Sequence, residues 1–193
     1  RDGDCILTHS YSSMIKAVFK VAKEEFCTDF RVIVTETRPR YQGMKMAREL
    51  VELGIPTTVI VDSAARSMMK DIDTVMVGAD TVSSDGSVIT KVGSSQLALV
   101  AHEARVPFYV AAPTFKFSED TLSGVMVKIE KGDPAEIYRG SVLEDIAGDP
   151  NLTFLNPSFD ATPPEYVRGI ITERYVMSPF SIGEFIARQY GFE

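Results

Sequence analysis

Five short runs of hydrophobic residues recur along the first 112 residues of the chain, and a polar cluster ends each of them. They occupy residues 5–8, 31–35, 57–61, 74–78 and 108–112. In most of these runs the apolar residues are continuous rather than alternating, which is typical of strands buried on both faces. The pattern therefore predicts a mostly parallel sheet with helices on both faces.

The segments between these runs carry the spacing of amphipathic helices. From Ile15 to Phe26 the apolar side chains recur at helical spacing and so fall on one stripe. Similar stripes predict helices over residues 43–53, 64–70 and 95–104. Strands that alternate with helices in this way predict a doubly wound, Rossmann-like α/β fold with right-handed crossovers. Asp85-Gly86, between two short apolar pieces, predicts a hairpin after the fourth strand.

The pattern becomes less regular after Pro113. It predicts strands at 125–129 and 169–172, an extended segment at 154–160, and helices that begin at Asp133, after a Thr162 cap and at Ser181. A length of 193 residues suits one domain. We therefore expect residues 1–193 to form a single Rossmann-like domain. Because the chain enters its first strand almost directly after Arg1, we expect it to be part of a longer protein.

Charge and composition exclude several classes of protein. The chain has 20 basic and 27 acidic residues and a net charge of −7, so it lacks the basic field that attracts nucleic acid. Its apolar runs are far shorter than the roughly 20 residues of a membrane span. Neither a dinucleotide-binding nor a P-loop motif occurs. Two isolated cysteines, Cys5 and Cys27, suggest reduced thiols rather than a zinc site. We expect a cytoplasmic protein without cofactor or metal and without direct contact with nucleic acid or membrane.

Polar side chains cluster where the predicted strands end, and open parallel sheets bind ligands in the crevice outside these carboxyl ends. Residues 10–13 open a helix whose free backbone N–H groups favour phosphate or carboxylate, unless a serine there is only the helix cap. His9, one position earlier, should point to the opposite face of the strand. Arg38 either aims a guanidinium at the rim or forms an ion pair with Glu36. Asp80 is a candidate proton carrier, or a turn cap.

Several strings of residues, taken in order, are similar to the motifs of one superfamily. They are Leu7-Thr8-His9-Ser10-Tyr11-Ser12, Thr35-Glu36-Thr37-Arg38-Pro39, Val77-Gly78-Ala79-Asp80, Lys91-Val92-Gly93 and Asn156-Pro157-Ser158-Phe159-Asp160. Together they resemble the alpha, beta and delta subunits of translation initiation factor 2B, whose superfamily also contains methylthioribose-1-phosphate isomerase and ribose-1,5-bisphosphate isomerase. The resemblance implies assembly with like subunits through the α/β domain. It also implies that the superfamily's N-terminal helical domain is absent from this chain.

The resemblance also places part of a sugar-phosphate site on this sequence. Asp80 matches the catalytic aspartate of the isomerases, and Gln42 and Lys91 match groups that contact their substrate. Ser10 stands where the isomerases have a catalytic cysteine, and Thr90 stands where they have an asparagine. Because a hydroxyl is a far weaker acid than a thiol, the resemblance implies a crevice that binds a ligand but has lost its proton-transferring thiol.

From this resemblance we expect a regulatory subunit of a translation initiation factor 2B-like complex rather than an enzyme. It would assemble with like subunits and bind initiation factor 2. Its crevice would bind a sugar-phosphate or nucleotide effector through Ser10, Arg38, Gln42, Asp80, Thr90 and Lys91.

Two other interpretations stay open. One is an aldose–ketose isomerase of ribose-1,5-bisphosphate or methylthioribose-1-phosphate, in which Asp80 moves a proton between carbons 1 and 2. Ser10 would relay a proton in that enzyme and Lys91 would hold phosphate. The other is an assembly module whose crevice binds nothing.

Overall fold

A computed structural model describes residues 1–26 and 28–191 of the chain. The strands are β1 (Cys5–His9), β2 (Arg31–Thr35), β3 (Thr57–Ile60), β4 (Thr74–Gly78), β5 (Thr81–Val82), β6 (Val88–Lys91), β7 (Phe108–Ala111), β8 (Phe159–Thr162), β9 (Gly169–Ile171) and β10 (Val176–Met177). The helices are α1 (Ser13–Glu24), α2 (Gln42–Glu52), α3 (Ala65–Met68), α4 (Ser94–Ala104), α5 (Ala135–Tyr138) and α6 (Ile182–Tyr190).

Seven strands form the main sheet, in the order β10-β9-β7-β4-β1-β2-β3. Every neighbouring pair is parallel except β9 with β10. The chain builds outward from β1 through β2 to β3 and then crosses back to add β4 on the other side of β1. A topological switch point of this kind leaves a crevice between the carboxyl ends of β1 and β4.

Helices cover both faces of this sheet, as the apolar runs predict. On one face, Phe19 of α1 and Leu50 of α2 pack with Val32 and Val34 of β2. Ile33, between the two valines, belongs to the core on the other face. There α4 and α6 are packed against the sheet, with α3 beside them. Burying a side chain of this size stabilises the fold by about 1.5–3 kcal/mol. The doubly wound, mostly parallel α/β fold is confirmed.

A second, three-stranded sheet lies beside the first, in the order β5-β6-β8, and all its pairings are antiparallel. The predicted hairpin is its first part, because β5 pairs with β6 across a turn that Gly86 closes at φ +84°. The third strand, β8, pairs with β6 and brings Asp160 opposite Thr90. This small sheet forms a wall beside the switch point.

Three predictions about local structure are wrong. Residues 125–129 are not a strand: Val125 and Met126 are 57% and 90% exposed, and no strand in the described part of the chain pairs with this segment. Thr162 does not cap a helix, because it ends β8, and its buried hydroxyl has no hydrogen-bond partner among the described residues. Phe26 lies beyond the end of α1 and is exposed rather than on the inner stripe. The prediction for Cys27 falls outside the described residues.

Among the residues that the structure describes, no helix has both the length and the apolar character that a membrane span requires.

Candidate functional site

A polar cavity of about 380 Å³ opens at the switch point. Its walls come from the ends of β1, β4 and β6 and from the start of α1. Five of the predicted ligand-binding residues line it, namely Ser10, Gln42, Asp80, Thr90 and Lys91. The structure therefore brings together residues that are as much as 81 positions apart in the sequence. Their role in binding stays a prediction.

Ser10 occupies the tip of β1 in a strained backbone conformation. Its φ is +66°, a left-handed value that costs a residue with a Cβ about 1–2 kcal/mol. Thr37, at φ +61°, meets it from the neighbouring strand tip, and its hydroxyl accepts the Ser10 backbone N–H at 2.9 Å. The Ser10 hydroxyl donates to Oε1 of Gln42 at 3.2 Å. The two strand tips thus hold each other and aim the Ser10 hydroxyl into the cavity.

The start of α1 forms one wall of the cavity. Ser12 is the N-cap, and its hydroxyl accepts the backbone N–H of Ile15 at 3.3 Å. That serine therefore has the capping role, as one of the two sequence interpretations predicts. The helix can begin this close to β4 only because Gly78 has no side chain, since a Cβ at Gly78 would overlap the Ser12 hydroxyl.

Asp80 and Lys91 face the same cavity from β4 and β6. Asp80 is exposed, and its backbone N–H donates to the carbonyl oxygen of Ile89 at 2.9 Å, which ties the strand tip to the hairpin. Burial lowers the pKa of the Lys91 ammonium, and the negative charge of Asp80 works against that shift. The Lys91 ammonium also lies 4.5 Å from the centre of the Phe159 ring.

Two further cations, which the sequence interpretation missed, line the cavity. Lys116 follows β7, and its ammonium donates to the carbonyl oxygen of Ala79. Arg40 enters from the loop before α2. Lys116 follows a strand tip as Asp80 does, so its position after β7 is the sequence signal that marks it as a crevice residue. Asp80 is the one carboxylate among the described lining residues.

Arg40 is paired rather than free. Its Nε and Nη2 lie 2.8 and 2.6 Å from Oε1 of Glu136, and this guanidinium lowers the pKa of the Glu136 carboxyl. Nδ2 of Asn156 donates to the other carboxylate oxygen of Glu136 at 3.0 Å and to the carbonyl oxygen of Asp133 at 2.8 Å. These contacts fasten the segment around α5 to the rim of the cavity.

Arg38 does not line this cavity, and its predicted role in binding stays a prediction. Its guanidinium donates to Tyr41 Oη at 2.7 Å and to the carbonyl oxygen of Ile137 at 3.4 Å. It lies over the Tyr41 ring, and it lines a smaller neighbouring cavity instead. In the described part of the chain it makes no ion pair with Glu36 either. Its backbone N–H donates to the Asp62 carboxylate at 2.8 Å.

His9 is directed away from the Ser10 hydroxyl, as the alternation of side chains along a strand predicts. Its Nδ1 lies 2.6 Å from Oγ1 of Thr35, and its Nε2 lies 2.8 Å from the carbonyl oxygen of Val92. Burial lowers the pKa of the His9 imidazole. His9 therefore connects the tip of β1 to the loop that follows Lys91.

In residues 1–26 and 28–191, no three His, Cys, Asp or Glu side chains come close enough together to hold a metal ion. A larger cavity, of about 530 Å³, lies at the opposite, amino ends of the strands. His102 lines that cavity, and its ring packs against the Tyr166 ring at a tilt of 50°, with the ring centres 5.1 Å apart.

Residues 1–179 match the model of the initiation factor 2 subunit family. The ribose 1,5-bisphosphate isomerase of Pyrococcus furiosus is 44% identical over 99% of this chain and 58% of its own length. A putative translation initiation factor eIF-2B subunit 2-like protein of Pyrococcus horikoshii is 40% identical over 92% of this chain and 59% of its own length. The crystal structure of 5-methylthioribose 1-phosphate isomerase from Pyrococcus horikoshii superposes with a TM-score of 0.83 at 26% identity, over 100% of this chain and 56% of that one.

These relatives correct the expected function. The ribose 1,5-bisphosphate isomerases of Pyrococcus furiosus, Haloferax volcanii and Methanocaldococcus jannaschii are 43–47% identical to this chain over 99–100% of its length. The expectation of a regulatory subunit of a translation initiation factor 2B-like complex, in preference to an enzyme, is therefore wrong. The chain spans about three fifths of the length of the curated relatives that it matches.

Proposed function

Because the chain belongs to the initiation factor 2 subunit family, and within it lies close to ribose 1,5-bisphosphate isomerases, we propose that it carries the active site of an aldose–ketose isomerase. The proposed substrate is a ribofuranose that bears phosphate at carbons 1 and 5. The observation that carries the proposal is a crevice at the switch point in which one carboxylate faces several cations.

The charges around the cavity suit a doubly phosphorylated sugar. Lys91, Lys116 and Arg40 line a cavity that holds the single carboxylate of Asp80, in a chain whose net charge is −7. A local excess of positive charge in an acidic molecule concentrates phosphorylated ligands at that place. Two of these cations, Lys91 and Lys116, make no ion pair within the described residues, so both are available to phosphate oxygens.

The reaction would move two hydrogens within the sugar and open its ring. The bond between carbon 1 and the ring oxygen breaks, and the ring oxygen gains a proton. The hydrogen on carbon 2 moves to carbon 1, and the hydroxyl of carbon 2 loses its proton and becomes the carbonyl. We assign the carbon-to-carbon transfer to the Asp80 carboxylate, because a carboxylate at the cavity wall is the type of group that serves as general base.

Ser10 relays the second proton in this scheme. Its hydroxyl lies in the cavity, where its hydrogen bond to Gln42 at 3.2 Å orients it, and it can accept the proton of the carbon 2 hydroxyl as it donates its own to the ring oxygen. A serine hydroxyl is a much weaker acid than the cysteine thiol that the resemblance places there. The proposed enzyme is therefore slower in its proton relay than a relative with a thiol.

The purified protein, at its natural length, should convert ribose 1,5-bisphosphate into ribulose 1,5-bisphosphate, followed by ³¹P and ¹³C NMR. Asp80→Asn should lower kcat at least about a hundredfold, because general base catalysis contributes roughly 10²–10⁴-fold. Asp120→Asn, an exposed carboxylate outside the cavity, is the matched control and should leave kcat unchanged. Ser10→Cys should raise kcat.

Two results would count against the proposal. If the wild-type protein binds ribose 1,5-bisphosphate without forming product, the assigned reaction is wrong. Conversion of methylthioribose 1-phosphate in preference to the bisphosphate would change the substrate and leave the reaction type in place.

The remaining expectations about the whole protein belong to the same proposal. We propose that it works in the cytoplasm and assembles with like subunits through this α/β domain. Sedimentation velocity of the purified protein tests the assembly, and a monomer at micromolar concentration would contradict it.

A further inference from the structure

The loop between β6 and α4 determines where the Lys91 ammonium lies. Lys91 is the last residue of β6, and α4 begins three residues later, at Ser94. Ser94 Oγ donates to the carbonyl oxygen of Lys91 at 2.7 Å, and the backbone N–H of Val92 donates to the carbonyl oxygen of Ser158 at 3.2 Å. A connection this short leaves the lysine backbone little freedom, provided that its remaining polar groups are held.

One side of the loop is held by Asp160 of β8. Its carboxylate accepts the backbone N–H of Gly93 at 2.7 Å and that of Ser95 at 3.2 Å. These bonds satisfy N–H groups at the start of α4 that have no partner within the helix. They leave the carbonyl oxygen of Val92 directed to the other side of the loop.

The His9 imidazole donates a hydrogen bond to that carbonyl oxygen. A carbonyl oxygen only accepts, so the hydrogen between Nε2 of His9 and Val92, 2.8 Å apart, belongs to Nε2. Nδ1 is then the acceptor in the neutral ring, and the Thr35 hydroxyl donates to it at 2.6 Å. The ring is 5% exposed, so its two partners fix both its tautomer and its orientation.

Gly93 makes room for this contact. It has a φ of +102°, and a Cβ there would lie 3.0 Å from two atoms of the His9 ring. The loop and the ring are thus fitted to each other, and a side chain at position 93 would push the ring off the Val92 carbonyl.

We propose that His9 is a positioning residue, whose neutral imidazole holds the Val92 carbonyl through Nε2 and so places the Lys91 ammonium in the cavity to receive a phosphate of the substrate. His9 touches neither the reacting carbons nor the Ser10 hydroxyl. Its kinetic consequence rests on the proposed isomerase function, whereas its structural part, the tautomer and the placement of Lys91, does not.

Two variants of the purified protein separate this role from plain packing. His9→Leu keeps an apolar side chain of similar size but has no donor, and it should raise KM for ribose 1,5-bisphosphate about tenfold or more with a smaller change in kcat, because a buried acceptor has lost its partner. His9→Gln carries an amide N–H near the position of Nε2 and should stay within about threefold of wild type. His102→Leu, on the exposed face of α4, is the matched control and should leave KM unchanged.

NMR tests the structural part without turnover. Histidine ¹⁵N shifts should show His9 as the neutral Nε2–H tautomer at pH 7, with Asp62, Asp160 and Lys91 as the charged groups that face it. Side-chain NMR of ¹⁵N-labelled lysine should show the pKa of Lys91 moved in His9→Leu and restored in His9→Gln.

A charged or Nδ1–H ring at pH 7 would overturn the proposal, as would equal KM values for the leucine and glutamine variants. Circular dichroism identifies a variant that fails to fold, and Gly93→Ala, which keeps the histidine, then takes its place and should raise KM in the same way. If wild type shows no turnover while the NMR results hold, the isomerase proposal fails and the placement of Lys91 by His9 stands.

Discussion

Two residues with a Cβ, Ser10 and Thr37, share the left-handed region of the backbone at adjoining strand tips. Each φ value is maintained by bonds from its surroundings: Ser10 donates to Thr37, and the Thr37 backbone N–H donates to Asp62 at 2.8 Å. Strained conformations of this kind are retained where neighbouring groups over-determine them, and they concentrate at functional sites. At the scale of single residues, hydrogen bonds within the protein therefore preorganise the cavity.

The buried imidazole makes stability depend on pH. Burial lowers the pKa of His9 in the folded protein below its ordinary value of 6.5, although Asp62 and Asp160 oppose that shift. The unfolded chain therefore binds more protons than the folded one in the window below 6.5, and the free energy of unfolding should fall as the pH drops from about 6.5 to 5. Each unit of difference in pKa corresponds to about 1.4 kcal/mol.

Urea unfolding at a series of pH values measures this dependence, and His9→Gln should flatten the curve between about pH 5 and 6.5. Asp160 contributes with the opposite sign at lower pH, because burial raises the pKa of its carboxyl above the ordinary 3.8. An unchanged slope in His9→Gln would contradict the assignment of the dependence to His9.

The residues of the cavity could be predicted only in part, and Arg38 and Arg40 show why. The position of a residue after a strand is encoded in the sequence, which is why Ser10 and Asp80 are placed correctly, whereas Lys91 is assigned from the resemblance. The direction of a long side chain in the following loop depends on its partners. Here Tyr41 and Glu136 bind the two guanidiniums, and neither partner follows from strand periodicity.

At the scale of elements, close contact between β2 and α2 depends on one glycine. Gly43 lies in the first turn of α2, and a Cβ there would overlap the backbone carbonyl oxygen of Thr35 at the end of β2. Its backbone N–H donates to the carbonyl oxygen of Glu36 at 3.2 Å. The helix can thus start directly on the strand tip, and this brings Gln42 to the Ser10 hydroxyl.

Gly43→Ala should lower the free energy of unfolding by about 1–3 kcal/mol, because the obstacle is backbone and the helix must shift to clear it. Thermal unfolding followed by circular dichroism measures the loss. Gly148→Ala, at an open surface position where a Cβ would meet nothing within 4 Å, is the control and should stay within about 0.5 kcal/mol of wild type. Equal stability of the two variants would contradict the close contact.

Elements with a continuous apolar run or a helical stripe could be predicted from the sequence, and residues 125–129 could not. That segment has the composition of a strand, but a strand exists only if another strand pairs with it. The small sheet already places β6 between β5 and β8, and the segment lies outside it with Met126 exposed. Pairing over long distances in the sequence decides such cases.

At the scale of the whole molecule, the distribution of charge is uneven. The chain carries a net charge of −7, whereas the cavity at the switch point presents more cations than anions. The net charge of the chain thus repels a phosphorylated ligand, whereas the cations of the cavity attract it. Exposed charges are screened by salt beyond about 8–10 Å at physiological ionic strength, so this attraction weakens as salt is added.

Lys116→Met should raise KM for ribose 1,5-bisphosphate about tenfold and reduce the rise of KM with added KCl, since one charge-assisted bond to phosphate is lost. Steady-state kinetics at several salt concentrations provide the measurement. Lys70→Met removes an exposed lysine away from the cavity, and its salt dependence should match that of wild type. A salt dependence unaltered by Lys116→Met would place this lysine outside the ligand site.

The central position of β1 also constrains the order in which the molecule can fold. Its two neighbours are β2, which follows soon in the chain, and β4, whose Thr74 pairs with Ile6 across 68 residues. Closing so long a loop costs conformational entropy, and contacts between residues far apart in the sequence slow folding. A nascent chain that has emerged only through β3 can assemble one flank of the sheet, but it has no Asp80 to face Ser10. The crevice at the switch point is therefore a late product of folding, formed only when the second half of the sheet adds to the first.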